Sequence, residues 1–468
     1  LRTAAAFRAH LDRSNIPLEF DEQVDPSGAL SHPIEVDRVR VGNRFCILPM
    51  EGWDGTREGE PSDLTRRRWR NFGISGAKLV WGGEAVAVRH DGRANPHQLM
   101  LTPSTQRSIA SLREHLIAAH RERIGSNADS DLYVGLQITH SGRYARPDVW
   151  NRSAPLAACH HPVLDRRFPE GVRVLTDAEL DCLVDDYVAA ARLAFEAGFQ
   201  FIDAKACHGY LGHELLGATT RPGRYGGSLE NRMRFITQVV QGIRSAVPRL
   251  AIFVRVSIFD VVPYRKNAHG VGVAEEAAGS EPAFGLLTNE NMDRALEDGR
   301  SLLRRLETLG VRWVCVSAGS PYYCPHIQRP AFFPPVDGYE PPEDPLCGVA
   351  RQIDATAKLK SEFPNLVFVG SAYSYLQEWL PHVGQYNVRR GLTDFIGLGR
   401  VALSYPELPL DVLSGRPLRR ASLCRTFSDC TTGPRMGMVS GCYPLDPFYE
   451  ARPEAERIRT VRVASTKR

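Results

Sequence analysis

Within nine residues, Asp203-Ala204-Lys205-Ala206-Cys207-His208-Gly209-Tyr210-Leu211, the chain gathers an ammonium, an imidazole and a phenol beside a glycine. Such groups donate hydrogen bonds to an oxygen on which negative charge develops, and a phenol of ordinary pKa about 10 can protonate a basic carbon. The cluster follows an apolar run, Phe199–Lys205. If that run is a strand its side chains alternate, so with Ala204 turned outward Lys205 points to the inner side. The bland alternative is that Lys205 snorkels to water and His208 is a hydrogen-bonded packing residue. Convergence of Lys205, His208 and Tyr210 beside Gly209 favours a catalytic trio.

What positions such a trio is legible in the alternation of short β-rich runs with helical patterns. The runs are Arg44–Pro49, Ala77–Val86, Leu132–Thr139, Phe199–Lys205, Leu250–Ser257, Val311–Ser317, Leu366–Gly370 and Asp394–Leu398. Between them, Asp177–Ala197, Ser228–Val247 and Asn289–Leu309 carry apolar residues at helical spacing. Eight strands joined by helices predict an α/β fold, a closed (β/α)8 TIM barrel over residues 44–410. Residues 1–43 read as an N-terminal extension with a helix at Ala4–Ser14, and 411–468 as a short appendage holding Cys424, Cys430 and Cys442. The long connections, Ser141–Leu175, Ala206–Gly227, Ile258–Thr288 and Ala318–Cys347, all follow strand C-termini, the barrel face where active sites are assembled. The last is rich in Pro and aromatic residues, which predicts an ordered lid; its Tyr322, Tyr323 and His326 are the candidate substrate contacts.

The 468 residues are 43% hydrophobic and 24% charged with net charge +4, the balance of an ordinary soluble protein. Part of the positive excess is Arg452, Arg457, Arg459, Arg462, Lys467 and Arg468, which lack interleaved aromatics and read as a solvated tail rather than a nucleic-acid surface. No apolar run is long enough to span a membrane, and charges interrupt residues 1–20, so the expected location is the cytoplasm. Residue 1 is Leu rather than Met, so a targeting segment ahead of it stays open. Ten scattered cysteines do not make a secreted disulfide framework. The expected partner is a small-molecule substrate, with a homo-oligomer open.

Around strand four the sequence resembles the Old Yellow Enzyme family of flavin oxidoreductases, whose fourth strand ends in His-x-x-His-Gly-Tyr or His-x-x-Asn-Gly-Tyr. Other segments match in order: Asn43-Arg44-Phe45 with Leu48-Pro49-Met50, Gln137-Ile138-Thr139-His140-Ser141-Gly142-Arg143, Tyr225-Gly226-Gly227-Ser228-Leu229-Glu230-Asn231-Arg232, and Gly399-Arg400. The resemblance covers most of residues 40–405. It implies FMN across the barrel mouth, with the backbone of Pro49, Met50 and Gly83 facing the ring, Gln137 on the pyrimidine edge and Arg255 beside the reduced anion. The phosphate would rest around Gly370, Ser371, Gly399 and Arg400. Lys205 and His208 would hold the substrate oxygen, Tyr210 would supply a proton, and NADH or NADPH would be the reductant. The implied activity is reduction of a conjugated or aromatic carbonyl compound. A flavin dehydrogenase oxidising an amine or alcohol, and a flavin-free binding barrel, are the alternatives.

Two departures from the family pattern matter. Lys205 stands where the first histidine is expected, bringing a full charge that favours an anionic substrate such as a phenolate, carboxylate or thioester enolate. Glu51 stands where many relatives have Thr or Cys, and a carboxylate there disfavours a reduced flavin anion unless it pairs with a cation. Larger relatives carry a four-iron cluster on Cys-x2-Cys-x3-Cys-x11-Cys. Here Cys430 and Cys442 keep the last spacing, but the upstream positions are Leu423 and Thr426, with only Cys424 nearby. Three thiolates do not complete a four-cysteine site, so a remnant without an iron–sulfur cluster or other metal is expected.

Overall fold

A computed structural model of the protein describes residues 1–275 and 283–466. Eight parallel strands close into a barrel: Phe45–Ile47, a second strand in two pieces (Leu79–Val80 and Ala85–Ala87), Tyr133–Thr139, Phe201–Ala204, Ala251–Ser257, Trp313–Ser317, Val367–Gly370 and Phe395–Leu398. Closure comes from the eighth strand pairing the first, Leu398 opposite Ile47, and from Leu79 lying between Cys46 of the first strand and Tyr133 of the third.

The break in the second strand, expected as one run, lies at Gly82 and Gly83, whose φ angles are +143° and +53°. A Cβ on Gly82 would fall 2.6 Å from the Gln137 backbone nitrogen. The kink therefore brings the second strand against the third so closely that only glycine fits. Beyond it Ala85 pairs with Gln137.

The helix Asp177–Glu196 matches its sequence pattern. Thr176 and Glu179 form a reciprocal capping box at its start, and Leu180, Leu183, Tyr187, Ala191 and Ala194 are buried on one face. The other two helical segments are each divided, into Leu229–Arg232 and Arg234–Ala246, and into Met292–Ala295 and Glu297–Thr308.

Inward-facing strand residues fill the barrel. Phe253 stacks on Phe201 at 3.8 Å and on Trp313 at 5.0 Å, with Trp81, Tyr133 and Phe395 packed around them. A hairpin, Ile34–Val36 with Val39–Val41, covers the N-terminal end of this plug, an element not anticipated in the first 43 residues. The N-terminal helix Ala4–Arg13 packs elsewhere, stacking Phe7 on Trp379 at 4.8 Å.

The appendage is folded rather than loose. Met438, Tyr443, Tyr449, Ala455 and Ile458 form a small core, and Asp446 takes both terminal nitrogens of Arg67, at 2.8 and 3.0 Å, from the helix Asp63–Gly73. The expected solvated basic tail is modified here: Arg457 and Arg459 are exposed, but the segment that carries them is structured. Residues Pro453–Thr466 are helical, Arg452 pairs with Glu454 and Arg462 with Asp429, because burial of Ala455 and Ile458 anchors the segment. Lys467 and Arg468 lie outside the described residues, as do residues 276–282 of the connection after strand five. Among the described residues no helix is long and apolar enough to cross a membrane.

Candidate active site

The fourth strand hands over to a tight turn in which His208 and Gly209 both have left-handed backbone, φ +66° and +78°. Three contacts hold it: the His208 N–H donates to Ser257 Oγ (2.9 Å), the Gly209 N–H to His213 Nδ1 (3.0 Å), and Ser320 Oγ to the His208 carbonyl (2.9 Å). A non-glycine residue in this region costs about 1 kcal/mol or more, and these bonds offset it. His208 Nε2 lies 2.8 Å from Ser317 Oγ and 3.2 Å from Gln328 Nε2. Burial, reinforced by Arg255 and Lys205, pushes its pKa well below the ordinary histidine value, so the ring is neutral.

Lys205 is buried, and its ammonium donates to Glu51 Oε1 at 2.7 Å. The same ammonium sits 3.8 Å from the centre of the Tyr210 ring. Tyr210 donates its hydroxyl to Glu51 Oε2 at 3.0 Å and lies 3.2 Å from the Tyr322 hydroxyl. Burial, with Glu51 and Tyr322 close by, raises the Tyr210 pKa well above the ordinary phenol value. Glu51 thus does pair with a cation, and the cation is the other departure from the family pattern.

Below this trio lies a charged floor. Asp203 is fully buried and accepts from Trp81 Nε1 (2.8 Å), Gln137 Nε2 (2.5 Å) and the Arg255 N–H (2.7 Å); burial nonetheless lifts its pKa to about 6. Because the Gln137 nitrogen faces Asp203, its amide oxygen is left as an acceptor. The Arg255 guanidinium is buried. Burial works against its charge, but Cys315, Cys207 and Asp203 outweigh it and raise its pKa, and its Nε has no partner.

The trio, with Gln137 and Arg255 of the floor, lines one cleft of about 1200 Å³ at the C-terminal end of the barrel, open to solvent. Pro49, Met50, Ser371, Gly399 and Arg400 line it together with Lys205, His208, Tyr210, Gln137, Arg255 and Tyr322. Gly83 stands one layer back, its carbonyl accepting the Met50 N–H at 2.9 Å, and Gly370 is packed behind Tyr373. Tyr323 and His326 are corrections: they do not line the cleft. Tyr323 donates to Asp260 (2.5 Å) in the connection after strand five, and His326 pairs with the Tyr339 hydroxyl (2.7 Å) within its own loop. Phe332 and Phe333 of this loop are exposed rather than buried, against the expectation for its aromatic residues.

Several lining residues were not anticipated. Gln328 and Arg329 come from the lid, and Cys430, Thr431, Arg435 and Ser440 from the appendage, which closes over the end of the cleft near Arg400. There Arg329 Nη2 and Arg400 Nη1 are buried without partners. Burial and the neighbouring Arg435 and Arg400 lower the Arg329 pKa to about 9, although Arg435 is itself paired with Asp337 at 2.8 Å. The basic residues in Arg329 and Thr431-Thr432-Gly433-Pro434-Arg435 were the available signal, but nothing local says that they meet.

Cys424, Cys430 and Cys442 line one small cavity beside Arg400, and burial raises the pKa of Cys430 and Cys442. Among the described residues, no three His, Cys, Asp or Glu side chains are grouped so as to hold a metal ion.

The profile described as the NADH:flavin oxidoreductase / NADH oxidase family matches residues 29–283. The chain belongs to this family. The match ends within the fifth connection, so the last three strands rest on the fold. The resemblance to Old Yellow Enzyme read from the motifs is a resemblance to the same family. An NADH:flavin oxidoreductase of Gibberella zeae is 28% identical over 268 residues, which is 52% of this chain and 60% of that protein. The chain therefore spans less than two thirds of that relative. Among solved structures, a 2-naphthoyl-CoA reductase bound to 2-naphthoyl-CoA has a TM-score of 0.66 at 18% identity, covering 91% of this chain and 58% of that one. The Old Yellow Enzyme homologue from Zymomonas mobilis has a TM-score of 0.57 at 18% identity, covering 83% and 93%. At such identity the likeness is one of fold.

Proposed function

We propose that this chain binds FMN across the barrel mouth and works as an NAD(P)H-dependent oxidoreductase that reduces a conjugated or aromatic carbonyl compound. The observation that carries the reading is the set of unpartnered cationic nitrogens in one cleft. Arg255 Nε lies at its floor, and Arg329 Nη2 and Arg400 Nη1 lie at one end. Buried donors without partners cost about 1–3 kcal/mol each, and an anionic ring with a phosphate tail would relieve all three. Gln137 would hold the pyrimidine edge through its free oxygen. A Cβ on Gly399 would meet nothing nearer than Met50 Sδ at 3.7 Å, which leaves its backbone open to the phosphate beside Ser371.

Bound FMN supplies the acceptance and donation of hydride. The protein's part is to bind, orient and move protons. Neutral His208 and charged Lys205 would hold the substrate oxygen, and they stabilise it most once its negative charge is formed. Tyr210 would deliver the proton to the adjacent carbon. Its raised pKa keeps the phenol protonated through the neutral range, so it stands ready as an acid.

The test is spectroscopic. Purified protein should be yellow, or become so on addition of FMN, and NADH or NADPH should bleach it anaerobically within the time of a turnover. Protein that stays colourless after reconstitution refutes flavin binding. Yellow protein that only an amine or alcohol bleaches refutes the direction and leaves the dehydrogenase.

A further inference from the structure

The two oxygens of Glu51 serve two members of the trio, Lys205 at 2.7 Å and Tyr210 at 3.0 Å. The segment that carries it is pinned on both sides. Before it, the Met50 N–H donates to the Gly83 carbonyl at 2.9 Å; after it, the Gly52 N–H donates to Glu84 Oε2 at 3.2 Å. Glu84 is fixed in turn by the buried guanidinium of Arg68, which also takes Asp54 at 2.6 and 2.8 Å. The fit is close enough that a Cβ on Gly52 would fall 2.1 Å from Arg68 Nη2. Residue 52 must be glycine for the guanidinium to lie against the chain there. A buried arginine with two carboxylates beneath one loop costs desolvation and gives the loop one geometry.

We propose that Glu51 is a positioning residue for the reaction: on the platform built by Arg68, it keeps Lys205 charged in the cleft and aims the Tyr210 hydroxyl. The inference rests on the site reading above. Among the described residues, the groups around Lys205 leave no other source of negative charge at bonding distance. The first-strand loop contributes Glu51. Its own strand and turn contribute Asp203, Cys207, His208 and Tyr210, and Asp203 is engaged by Trp81, Gln137 and Arg255. Strand five contributes Arg255 and the lid Tyr322 and Arg329, which are cationic or neutral and add no counter-charge. An ammonium with only 3% of its side chain exposed, stripped of its sole carboxylate, would shed its proton more readily. The donor to the substrate oxygen would then be a neutral amine, and the Tyr210 hydroxyl would keep Tyr322 alone.

The chain has six lysines, so protein labelled with 13C at lysine Cε gives few enough signals to follow Lys205 by NMR, with Lys205→Met to assign it. In Glu51→Gln, the Lys205 signal should move to the neutral-amine position at a pH at least about one unit lower than in the wild type, a tenfold change. Glu51→Asp, which keeps the charge, should restore most of the difference and keeps the test open if the Gln variant folds poorly. In holoenzyme, the alkaline fall of kcat/KM with 2-cyclohexenone should move down by the same interval, while KM at neutral pH changes less than kcat. A Lys205 titration unchanged in Glu51→Gln overturns the proposal, as does a loss of activity equal at every pH. Because the NMR titration needs no flavin, a shifted signal in protein that never takes up FMN would sink the functional reading, and with it the role in the reaction, while leaving the coupling of Glu51 to Lys205 established.

Discussion

Replacing Asp203 by Asn should leave stability nearly unchanged at neutral pH while making bound flavin easier to reduce. The carboxylate accepts two bonds on Oδ2, from Trp81 and Gln137, and one on Oδ1, from the Arg255 N–H. An amide has one oxygen. It will keep that oxygen toward the two donors and turn its NH2 against the Arg255 N–H, losing one buried bond at a cost of about 1–3 kcal/mol. Against this stands the relief of a buried charge. The rise from the ordinary 3.8 to about 6 corresponds to about 3 kcal/mol by which the folded state disfavours the ionised carboxylate at pH 7. The two terms nearly cancel, so the net change at pH 7 should stay within about 2 kcal/mol.

The pH dependence carries the sign. A carboxyl whose folded pKa is raised contributes its stability in full below 3.8, and that contribution is lost as pH rises through about 6. Denaturant unfolding at pH 4 and pH 7 should therefore show wild-type stability falling by about 2 kcal/mol more than that of Asp203→Asn over this interval. With the negative neighbour gone, Arg255 favours a reduced anionic flavin more strongly, and the midpoint potential, read by dye equilibration, should become more positive. A loss above about 4 kcal/mol at pH 7, an unchanged pH slope, or a more negative potential would refute the reasoning.

Arg329→Gln removes one of the unpartnered cationic groups near Arg400, and loss of a charge-assisted bond of about 1.5–3 kcal/mol should raise the FMN Kd roughly 10- to 150-fold in a fluorescence titration. No change would take Arg329 out of the cofactor site. Burial holds the His213 pKa at about 4, so this side chain stays neutral as pH falls below the ordinary 6.5 while the unfolded chain takes a proton. Stability is lost in the acid direction, by about 2 kcal/mol at pH 5, and His213→Gln, whose oxygen can still accept the Gly209 N–H, should flatten that limb of the unfolding curve. Gly82→Ala should cost about 1–3 kcal/mol and weaken FMN binding by displacing Gln137, since the new Cβ would meet the Gln137 nitrogen at 2.6 Å. Unaltered FMN affinity in that variant would show that the third strand does not transmit the shift.

The barrel was readable because its strands are largely buried on both faces and appear as mostly apolar runs, interrupted at Gln137, Asp203 and Arg255 by the residues of the charged floor. The exception, the second strand, shows what such a run hides: Trp81-Gly82-Gly83-Glu84 turns the chain sharply, and the reason lies in the backbone of a neighbour 55 positions away. In the lid, Tyr322 faces the cleft and adjacent Tyr323 the connection after strand five, a choice set by Asp260 rather than by anything near in sequence. Lys205 and Glu51 were each legible as departures. That they meet was not, since the 154 positions between them are spanned only by closure of the barrel. The appendage was harder still. Its cysteines drew attention through their spacing, whereas Thr431, Arg435 and Ser440 reach the cleft through a docking fixed by Arg67 and Asp446.

The aromatic plug at the centre of the barrel makes the cleft a room with one door. With Trp81, Phe201, Phe253 and Trp313 packed below and the hairpin of residues 34–41 beneath them, nothing can approach the far side of a bound ring. If FMN lies across the mouth as proposed, the hydride donor and the hydride acceptor would therefore take turns in the same place, each leaving before the other enters. Initial velocities plotted reciprocally at several fixed concentrations of one reactant should run as parallel lines, and an excess of either reactant should inhibit by occupying the other's turn.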